Sequence, residues 1–182
     1  MLVELVASRL VELDLRYATA DNIAGRAIYF RPVALLRPEA LAALALAADR
    51  AGAMGLRLRV YDAYRPIEAQ QVLWDTIPDK RYVADPRQGG LHSRGVAVDL
   101  TLVDSGTGLE LPMGTGFDAM TPLSAHDATA IPAAAMRNRA LLLGLMTAAG
   151  WSAYPLEWWH YHLPTYLDFP PVARTDAPNG PM

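Results

Sequence analysis

The chain has 182 residues, of which 52% are hydrophobic and 19% are charged, and its formal net charge is −3 at pH 7. These values indicate one globular domain, residues 1–182, and exclude a disordered chain or a strongly basic nucleic-acid-binding protein. The chain has no cysteine and only four histidines, which excludes disulfides, thiolate metal sites and a cysteine nucleophile. A transition metal would therefore need histidine together with carboxylate ligands.

Three elements are predicted in the first half of the chain. Residues 38–55 are expected to form a helix, because Pro38 suits a first helical turn and a glycine ends the segment. Residues 56–61 alternate apolar and arginine side chains, which predicts a half-buried strand. A second helix is predicted over residues 66–77, with Pro78 after its end.

The second half begins with a polar loop over residues 81–90 and a strand predicted over residues 96–103, with a hairpin return at 109–111. Residues 114–130 form a candidate functional loop, which contains His126 near the cleft but not as a metal ligand. The remaining predicted elements are a helix over 133–149, an aromatic-rich strand over 156–163 and a loose tail over 171–182. This mixture predicts an α+β fold with a largely antiparallel central sheet and flanking helices.

Membrane and export signals are weak. The longest uncharged run, residues 140–156, is shorter than the about 20 residues of a membrane span and fits a buried helix better. Glu4 stands where a signal peptide has basic residues. We therefore expect a cytoplasmic protein that binds neither a membrane nor nucleic acid.

One candidate site lies in the sequence GGLHSRGVAVDLT, residues 89–101. His92 precedes the predicted strand and Asp99 lies within it, and residues seven apart on an unbroken strand face opposite sides. Both side chains reach one metal ion only if the chain bends between them, as Gly95 would permit. The alternative is a strand with an outward aspartate and an incidental histidine.

A second candidate site is the sequence EWWHYH, which contains Glu157 and His160. These two are three residues apart, so a bend or bulge is needed to bring them together. Trp158 and Trp159 would wall a small pocket and exclude water from it. The alternative is an aromatic core strand whose polar residues face solvent. His162, two residues after His160 on the same strand face, is expected to face solvent, and the alternative is a residue at the pocket rim or beside the metal ligands.

Together these sites supply His92, Asp99 and His160 as metal ligands, and Glu157 remains unused. Three protein ligands leave a fourth zinc position open for water, as in a catalytic site. The metal would lower the pKa of that water toward about 7, and Glu157 would take the proton and return it to a leaving amine.

Arg65 lies after the predicted strand 56–61, in the sequence YDAYRP. A guanidinium at that position would stabilise the oxyanion of a tetrahedral intermediate. The alternative is a surface arginine paired with Asp62.

Several stretches, spread in order over nearly the whole chain, carry a family resemblance. They are Tyr17-Ala18-Thr19, Tyr64-Arg65-Pro66, His92-Ser93-Arg94-Gly95 with Asp99-Leu100-Thr101-Leu102, Pro112-Met113-Gly114, Phe117-Asp118, Glu157-Trp158-Trp159-His160-Tyr161 and Asp168-Phe169-Pro170. The sequence thereby resembles the D-alanyl-D-alanine dipeptidases of the VanX type, zinc peptidases related to the D,D-carboxypeptidases and to the hedgehog fold. The resemblance implies that fold and the hydrolysis of D-Ala-D-Ala to two D-alanines.

The resemblance also implies roles for individual residues. His92, Asp99 and His160 would bind one zinc ion per chain, Glu157 would act as general base and acid, and Arg65 would stabilise the transition state.

At the other end of the substrate, the resemblance implies that Asp118 binds the free ammonium of a small dipeptide and that Tyr17 lines the same end. A carboxylate is the partner that a cationic amino terminus needs. The sequence departs from the family at Gly90, where a serine is typical, and in a short segment 66–91, so the contact with the substrate carboxylate and the substrate range are expected to differ. The alternatives are a D,D- or L,D-carboxypeptidase or endopeptidase acting on peptidoglycan stem peptides, and a catalytically silent zinc-binding module.

Overall fold

A five-stranded sheet forms the centre of the fold. The computed structural model describes residues 1–77, 79–177 and 179–182. Its strands are β1 (Val3–Glu4), β2 (Val11–Leu13), β3 (Leu35–Leu36), β4 (Leu56–Asp62), β5 (Ala97–Asp104), β6 (Ser152–Ala153) and β7 (His160–His162), and its α-helices are α1 (Pro38–Ala53), α2 (Ile67–Thr76) and α3 (Ala133–Ala148). The strand order is β2-β4-β5-β7-β6, and β1 and β3 form a separate antiparallel pair. Within the main sheet only β2 and β4 are parallel, which confirms the predicted α+β fold with a largely antiparallel sheet.

The three predicted helices and the two predicted long strands are confirmed, with ends that differ by one or two residues. Pro78, the predicted helix stop, lies outside the described residues. Strands β1, β2, β3 and β6 were not predicted, because each has only two or three residues and shows no readable alternation. No α-helix in the described part of the chain combines the length and the apolar character needed to cross a bilayer.

The main core lies between the sheet and the two long helices. Helix α1 packs on β4, helix α3 packs on β5 and β6, and the two helices contact each other. Leu44 of α1 and Leu142 of α3 are buried in the same cluster as Leu58 and Leu100 of the sheet. Burial of this apolar surface holds the central strands rigidly, and two of the candidate ligands, Asp99 and His160, lie on those strands.

Helix α2 belongs to a second, smaller core. Its Leu73 packs with Tyr17, Ile28, Tyr29 and Val83, which come from the N-terminal segment and from the segment after α2. Helix α2 therefore stands beside the sheet and forms one wall of a pocket.

Two predicted strands in the second half of the chain, residues 109–111 and residues 156–163, are shorter in the structure than predicted. The predicted return at 109–111 is reduced to a single bridge between Val103 and Glu110. The predicted strand over 156–163 is a strand only at His160–His162, because the preceding residues form a turn whose Trp158 backbone N–H donates to the carbonyl of Ser124 rather than to a strand.

The last residues do not form a loose tail, and that prediction is wrong for the residues that the structure describes. The Val172 N–H donates to the Ser93 carbonyl at 2.8 Å, and the Phe30 N–H donates to the Pro181 carbonyl at 2.8 Å. Ala177 is buried in a small cluster that includes Tyr64. Backbone hydrogen bonds and apolar burial thus fix a segment whose proline content suggested disorder.

Candidate active site

Three buried side chains converge in the way that a metal ion requires. One ligand atom from each of His92, Asp99 and His160 lies within 4.8 Å of the others. His92 Nε2 is 3.1 Å from His160 Nδ1, and Asp99 Oδ1 is 2.9 Å from the same nitrogen. Ligand atoms on a tetrahedral zinc with bonds of about 2.0–2.1 Å are about 3.3 Å apart, so this set fits such an ion.

Sheet register and one sharp turn bring the three residues together. Asp99 on β5 lies directly opposite His160 on β7, and cross-strand partners have Cβ atoms about 4.5–5.5 Å apart. His92 lies in a 3-10 turn, His92–Arg94, which ends at Gly95 with a left-handed φ of 72°. A Cβ at Gly95 would collide with the Leu2 side chain, so the predicted bend is confirmed and it depends on glycine.

The protein sets the orientation and charge of these ligands. His92 Nδ1 donates to the Ala63 carbonyl at 2.6 Å, which leaves Nε2 free as a ligand. Burial lowers the pKa of His160 and keeps its ring neutral. Burial alone would raise the pKa of Asp99, but the neighbouring His92 and His160 outweigh it and lower that pKa, so the carboxylate is ionised.

Glu157 lies in the turn before β7, not on a strand as predicted. The His160 N–H donates to the Glu157 carbonyl at 3.3 Å, and this turn carries both side chains into one pocket. Burial raises the pKa of Glu157 well above its ordinary value, and the charges of Asp99 and Asp118 raise it further. A carboxyl group whose pKa is raised in this way suits general acid and base chemistry.

Arg65 is buried in the pocket, so the alternative of a surface arginine is wrong, although the pairing with Asp62 is present. Its Nε donates to Asp62 Oδ2 at 2.8 Å and its Nη2 donates to Asp99 Oδ2 at 3.3 Å. Its guanidinium also stacks over the ring of Tyr17, 4.9 Å from the ring centroid. Burial alone would lower the Arg65 pKa, but the neighbouring Tyr17 and the carboxylates of Asp62 and Asp99 raise it, so the guanidinium remains a cation beside the candidate ligands.

Asp118 and Tyr17 form the other polar end of the pocket. The Tyr17 hydroxyl donates to Asp118 Oδ1 at 3.0 Å, and the Ile23 N–H donates to Oδ2 at 3.5 Å. Asp118 has a φ of 59°, in the left-handed region where aspartate occurs more often than most residues with a side chain. Burial raises the Asp118 pKa to about 7, so the carboxylate lacks a full cationic partner.

The two tryptophans have different surroundings in the structure, although the sequence predicted that both line the pocket. Trp159 lines the pocket, whereas Trp158 does not. The Trp158 indole donates to Thr115 Oγ1 at 2.9 Å, and its ring plane is nearly perpendicular to that of Trp159. Trp158 is therefore a buried structural residue, and the prediction that it binds substrate is wrong.

The remaining histidines stay outside the candidate metal site. His162 is half-buried, and its ring centroid lies 5.8 Å from that of His160 and 5.6 Å from that of Tyr166, so it lies beside a candidate ligand, as the alternative expectation had it, rather than turned fully to solvent. His126 is half-buried, with its ring centroid 6.0 Å from that of Tyr161, and it does not line the pocket.

The pocket itself is small, with a volume of about 200 Å³, below the about 300–1,000 Å³ typical of drug-sized ligands. Opposite the candidate ligands its wall comes from α2 and from residues 79–90, here called the mouth segment. Wall residues from these two parts include Leu73, Tyr82, Val83, Ala84 and Gly90. A Cβ on Gly90 would lie 3.5 Å from the Ala84 Cβ and 4.0 Å from Gln70 Oε1, which are ordinary contacts, so the position has room for a Cβ.

Two buried polar residues near Arg65 were not identified as site residues from the sequence. Asp62 is fully buried and accepts hydrogen bonds from Arg65 and, at 2.6 Å, from the Tyr29 hydroxyl. An irregular register after Val60 places Asp62 opposite Asp99. Gln70 of α2 contacts Arg65 as well. Only the strand-to-helix position of Asp62 next to Arg65 gave a signal in the sequence.

Comparison with known proteins agrees with this geometry. A family model described as D-ala-D-ala dipeptidase matches residues 4–175. The chain belongs to this peptidase family. It is similar to a protein named D-alanyl-D-alanine dipeptidase from Escherichia coli, with 47% identity over 90% of this chain and 84% of the relative. It is also similar to a protein of the same name from Streptomyces coelicolor, with 37% identity over 88% of this chain and 92% of the relative.

A third protein with the same name, from Enterococcus faecium, is 34% identical over 88% of this chain and 92% of its own length. Among solved structures, the LD-carboxypeptidase LdcB is similar over 71% of this chain and 59% of its own, with 22% identity and a TM-score of 0.45. Membership of the dipeptidase family confirms the resemblance derived from the ordered sequence stretches.

Proposed function

We propose that this protein is a zinc-dependent dipeptidase that hydrolyses D-Ala-D-Ala to two D-alanines. The observation that carries the proposal is one small pocket that holds the buried His–Asp–His set, an acid–base carboxyl group and a second carboxylate at the far end. Family membership supports the same substrate.

His92, Asp99 and His160 would hold the zinc ion. The donor set suits zinc because it combines two imidazole nitrogens with one carboxylate and leaves a position open. When bound, zinc supplies a Lewis acid that activates water and polarises the scissile carbonyl.

Glu157 provides the proton transfers. Its raised pKa lets the carboxylate accept a proton from water and later donate it to the leaving amine, which departs as the amino group of the second alanine. Trp159 and the apolar wall reduce the water around this group, which strengthens each electrostatic contact.

Arg65 stabilises the negative charge that develops on the carbonyl oxygen. The guanidinium is already positioned by Asp62, so little reorganisation is needed when the charge appears. Because Arg65 is buried, its interaction with that charge is stronger than it would be in water.

Asp118 binds the substrate ammonium. A buried carboxylate with a raised pKa gains a charge-assisted hydrogen bond when an ammonium arrives. An N-acylated substrate would leave Asp118 unpaired and would place its acyl group against Tyr17, so free dipeptides are preferred.

The test is a dipeptide panel on protein of known metal content. D-Ala-D-Ala, L-Ala-D-Ala, L-Ala-L-Ala and N-acetyl-D-Ala-D-Ala are compared, and only the first is expected to be hydrolysed efficiently. Equal or faster hydrolysis of the N-acetylated peptide would show a carboxypeptidase instead. Zinc binding without hydrolysis of any peptide would show a silent module.

A further inference from the structure

Gln70 forms hydrogen bonds both to Arg65 and to the mouth segment, and the proposed mechanism assigns it no role. Its side chain is buried, with 3% of the residue exposed. Gln70 Oε1 accepts a hydrogen bond from Arg65 Nη1 at 3.0 Å, and Gln70 Nε2 donates to the Ala84 carbonyl at 2.9 Å. The residue thus joins the arginine of the site to the mouth segment.

The orientation of the Arg65 guanidinium depends on what holds each of its nitrogens. Asp62 accepts from Nε and Asp99 accepts from Nη2, which fixes the edge of the group that faces the sheet. Gln70 holds the remaining nitrogen, Nη1. The Tyr17 ring covers one face of the planar guanidinium, and Gln70 holds the nitrogen that the two aspartates do not bond, so loss of Gln70 leaves that end of the group without a hydrogen-bond partner among these residues.

The absence of a net charge on Gln70 is as important for the field of Arg65 as the position of its side chain. Asp62 and Asp99 already place two carboxylates against Arg65, and a third acid would neutralise more of the field that the guanidinium offers to a substrate oxygen. An amide oxygen accepts the hydrogen bond without adding a net charge.

We propose that Gln70 is a positioning residue that holds Arg65 in the orientation required for transition-state stabilisation, and that it sets this orientation against the mouth segment through Ala84. The proposal rests on the proposed function, because it assigns Arg65 to the transition state. It does not make Gln70 a catalytic residue, since Gln70 acts through Arg65.

The adjacent glutamine offers a matched control. Gln71 is exposed on the same helix and its side chain bonds to Asp75. In Gln70→Leu, kcat for D-Ala-D-Ala is expected to fall about 10- to 100-fold, the effect of losing a hydrogen bond to a charged group, while the lost bond to the Ala84 carbonyl raises KM by less than about tenfold. Gln71→Leu is expected to leave both constants unchanged.

A double-mutant cycle separates positioning from general destabilisation. The affinity of a phosphinate dipeptide, a mimic of the tetrahedral species, is measured by calorimetry on zinc-loaded protein for wild type, Gln70→Leu, Arg65→Ala and the double variant. Gln70→Leu is expected to weaken binding about 10- to 100-fold when Arg65 is present and not at all when Arg65 is absent.

A readout without zinc or turnover uses the Arg65 Nε–Hε resonance in nuclear magnetic resonance spectra. It is expected to be sharp and protected from exchange in wild type and Gln71→Leu, and broadened in Gln70→Leu. Equal weakening of phosphinate binding with and without Arg65, or a wild-type kcat in Gln70→Leu, overturns the inference. Absence of dipeptide hydrolysis by wild type overturns the proposed function instead.

Discussion

The two sides of the pocket are built by different means. On the metal side, Asp99 and His160 stand on neighbouring central strands, where the register of the sheet fixes their separation. On the mouth side, residues 79–90 form no strand or α-helix among those described, and side chains hold them by their backbone carbonyls. Gln70 holds Ala84, and the Tyr154 hydroxyl donates to the Arg81 carbonyl at 2.7 Å.

This difference separates the groups that take part in the reaction, on the metal side, from the segment that borders the entrance for substrate, on the mouth side. Groups that perform the reaction need sub-ångström placement, and rigid elements supply it. Bonds to backbone carbonyls place few demands on side-chain identity, so the mouth segment is able to vary in sequence while it stays attached. Changes on the metal side should therefore alter kcat, and changes on the mouth side should alter KM.

Glu157→Gln tests the metal side most severely. The variant keeps the shape of the side chain but loses its basicity, so kcat for D-Ala-D-Ala is expected to fall by a factor of about 10² to 10⁴. Zinc content, measured by atomic emission, should stay at the wild-type value because Glu157 is not a predicted ligand. Near-normal turnover with zinc bound would exclude Glu157 as the base.

Asp118→Asn tests the ammonium end. Loss of a hydrogen bond between charged groups should lower kcat/KM for D-Ala-D-Ala about 10- to 100-fold and reduce the preference over N-acetyl-D-Ala-D-Ala. Asp127→Asn, an exposed position in the same loop, is the control and should behave as wild type. An unchanged preference in Asp118→Asn would contradict the assignment.

The same variant predicts a change in the pH dependence of stability. The Asp118 pKa is raised from 3.8 to about 7 by burial, so above pH 4 the folded state holds a proton that the unfolded state has lost. Wild-type stability therefore falls as the pH rises toward 7, by at most about 1.4 kcal/mol per pH unit from this group. Urea unfolding of metal-free protein should show that the free energy of unfolding of Asp118→Asn rises relative to that of wild type between pH 5 and pH 8. Parallel plots of the two free energies against pH would refute this prediction.

Tyr154→Phe tests the mouth side and has the smallest expected effect. It removes the hydrogen bond to the Arg81 carbonyl, which contributes about 0.5–1.5 kcal/mol, so KM should rise about 2- to 10-fold at constant kcat. Tyr166→Phe, outside the pocket lining, is the control. A fall in kcat without a change in KM would place Tyr154 with the chemistry.

The sequence was sufficient to predict the metal side, for identifiable reasons. Histidine is scarce in this chain, and His92 and Asp99 could reach one ion only if the chain bent between them, as Gly95 permits; the ordered family stretches then favoured this arrangement over an incidental histidine. Long helices and strands were predicted because their periodicity extends over many residues.

Other features depend on tertiary contacts that no local pattern encodes. Neighbouring tryptophans point to different sides of a turn, so composition alone did not distinguish Trp158 from Trp159. Gln70 and Gln71 are adjacent on one helix, and only the packed structure shows which is buried. The C-terminal segment is fixed by bonds to residues far away in the chain, such as Ser93.

One row of the sheet has a consequence for folding. Asp62, Asp99 and His160 face one another across three strands, and a slip of one residue in either pairing would turn a side chain to the opposite face. A chain with slipped strands could still bury much of its apolar surface, but it would lose the metal site. Under the proposed function, zinc stoichiometry in a refolded preparation is therefore expected to report the fraction of molecules with correctly paired strands, independently of how compact they are.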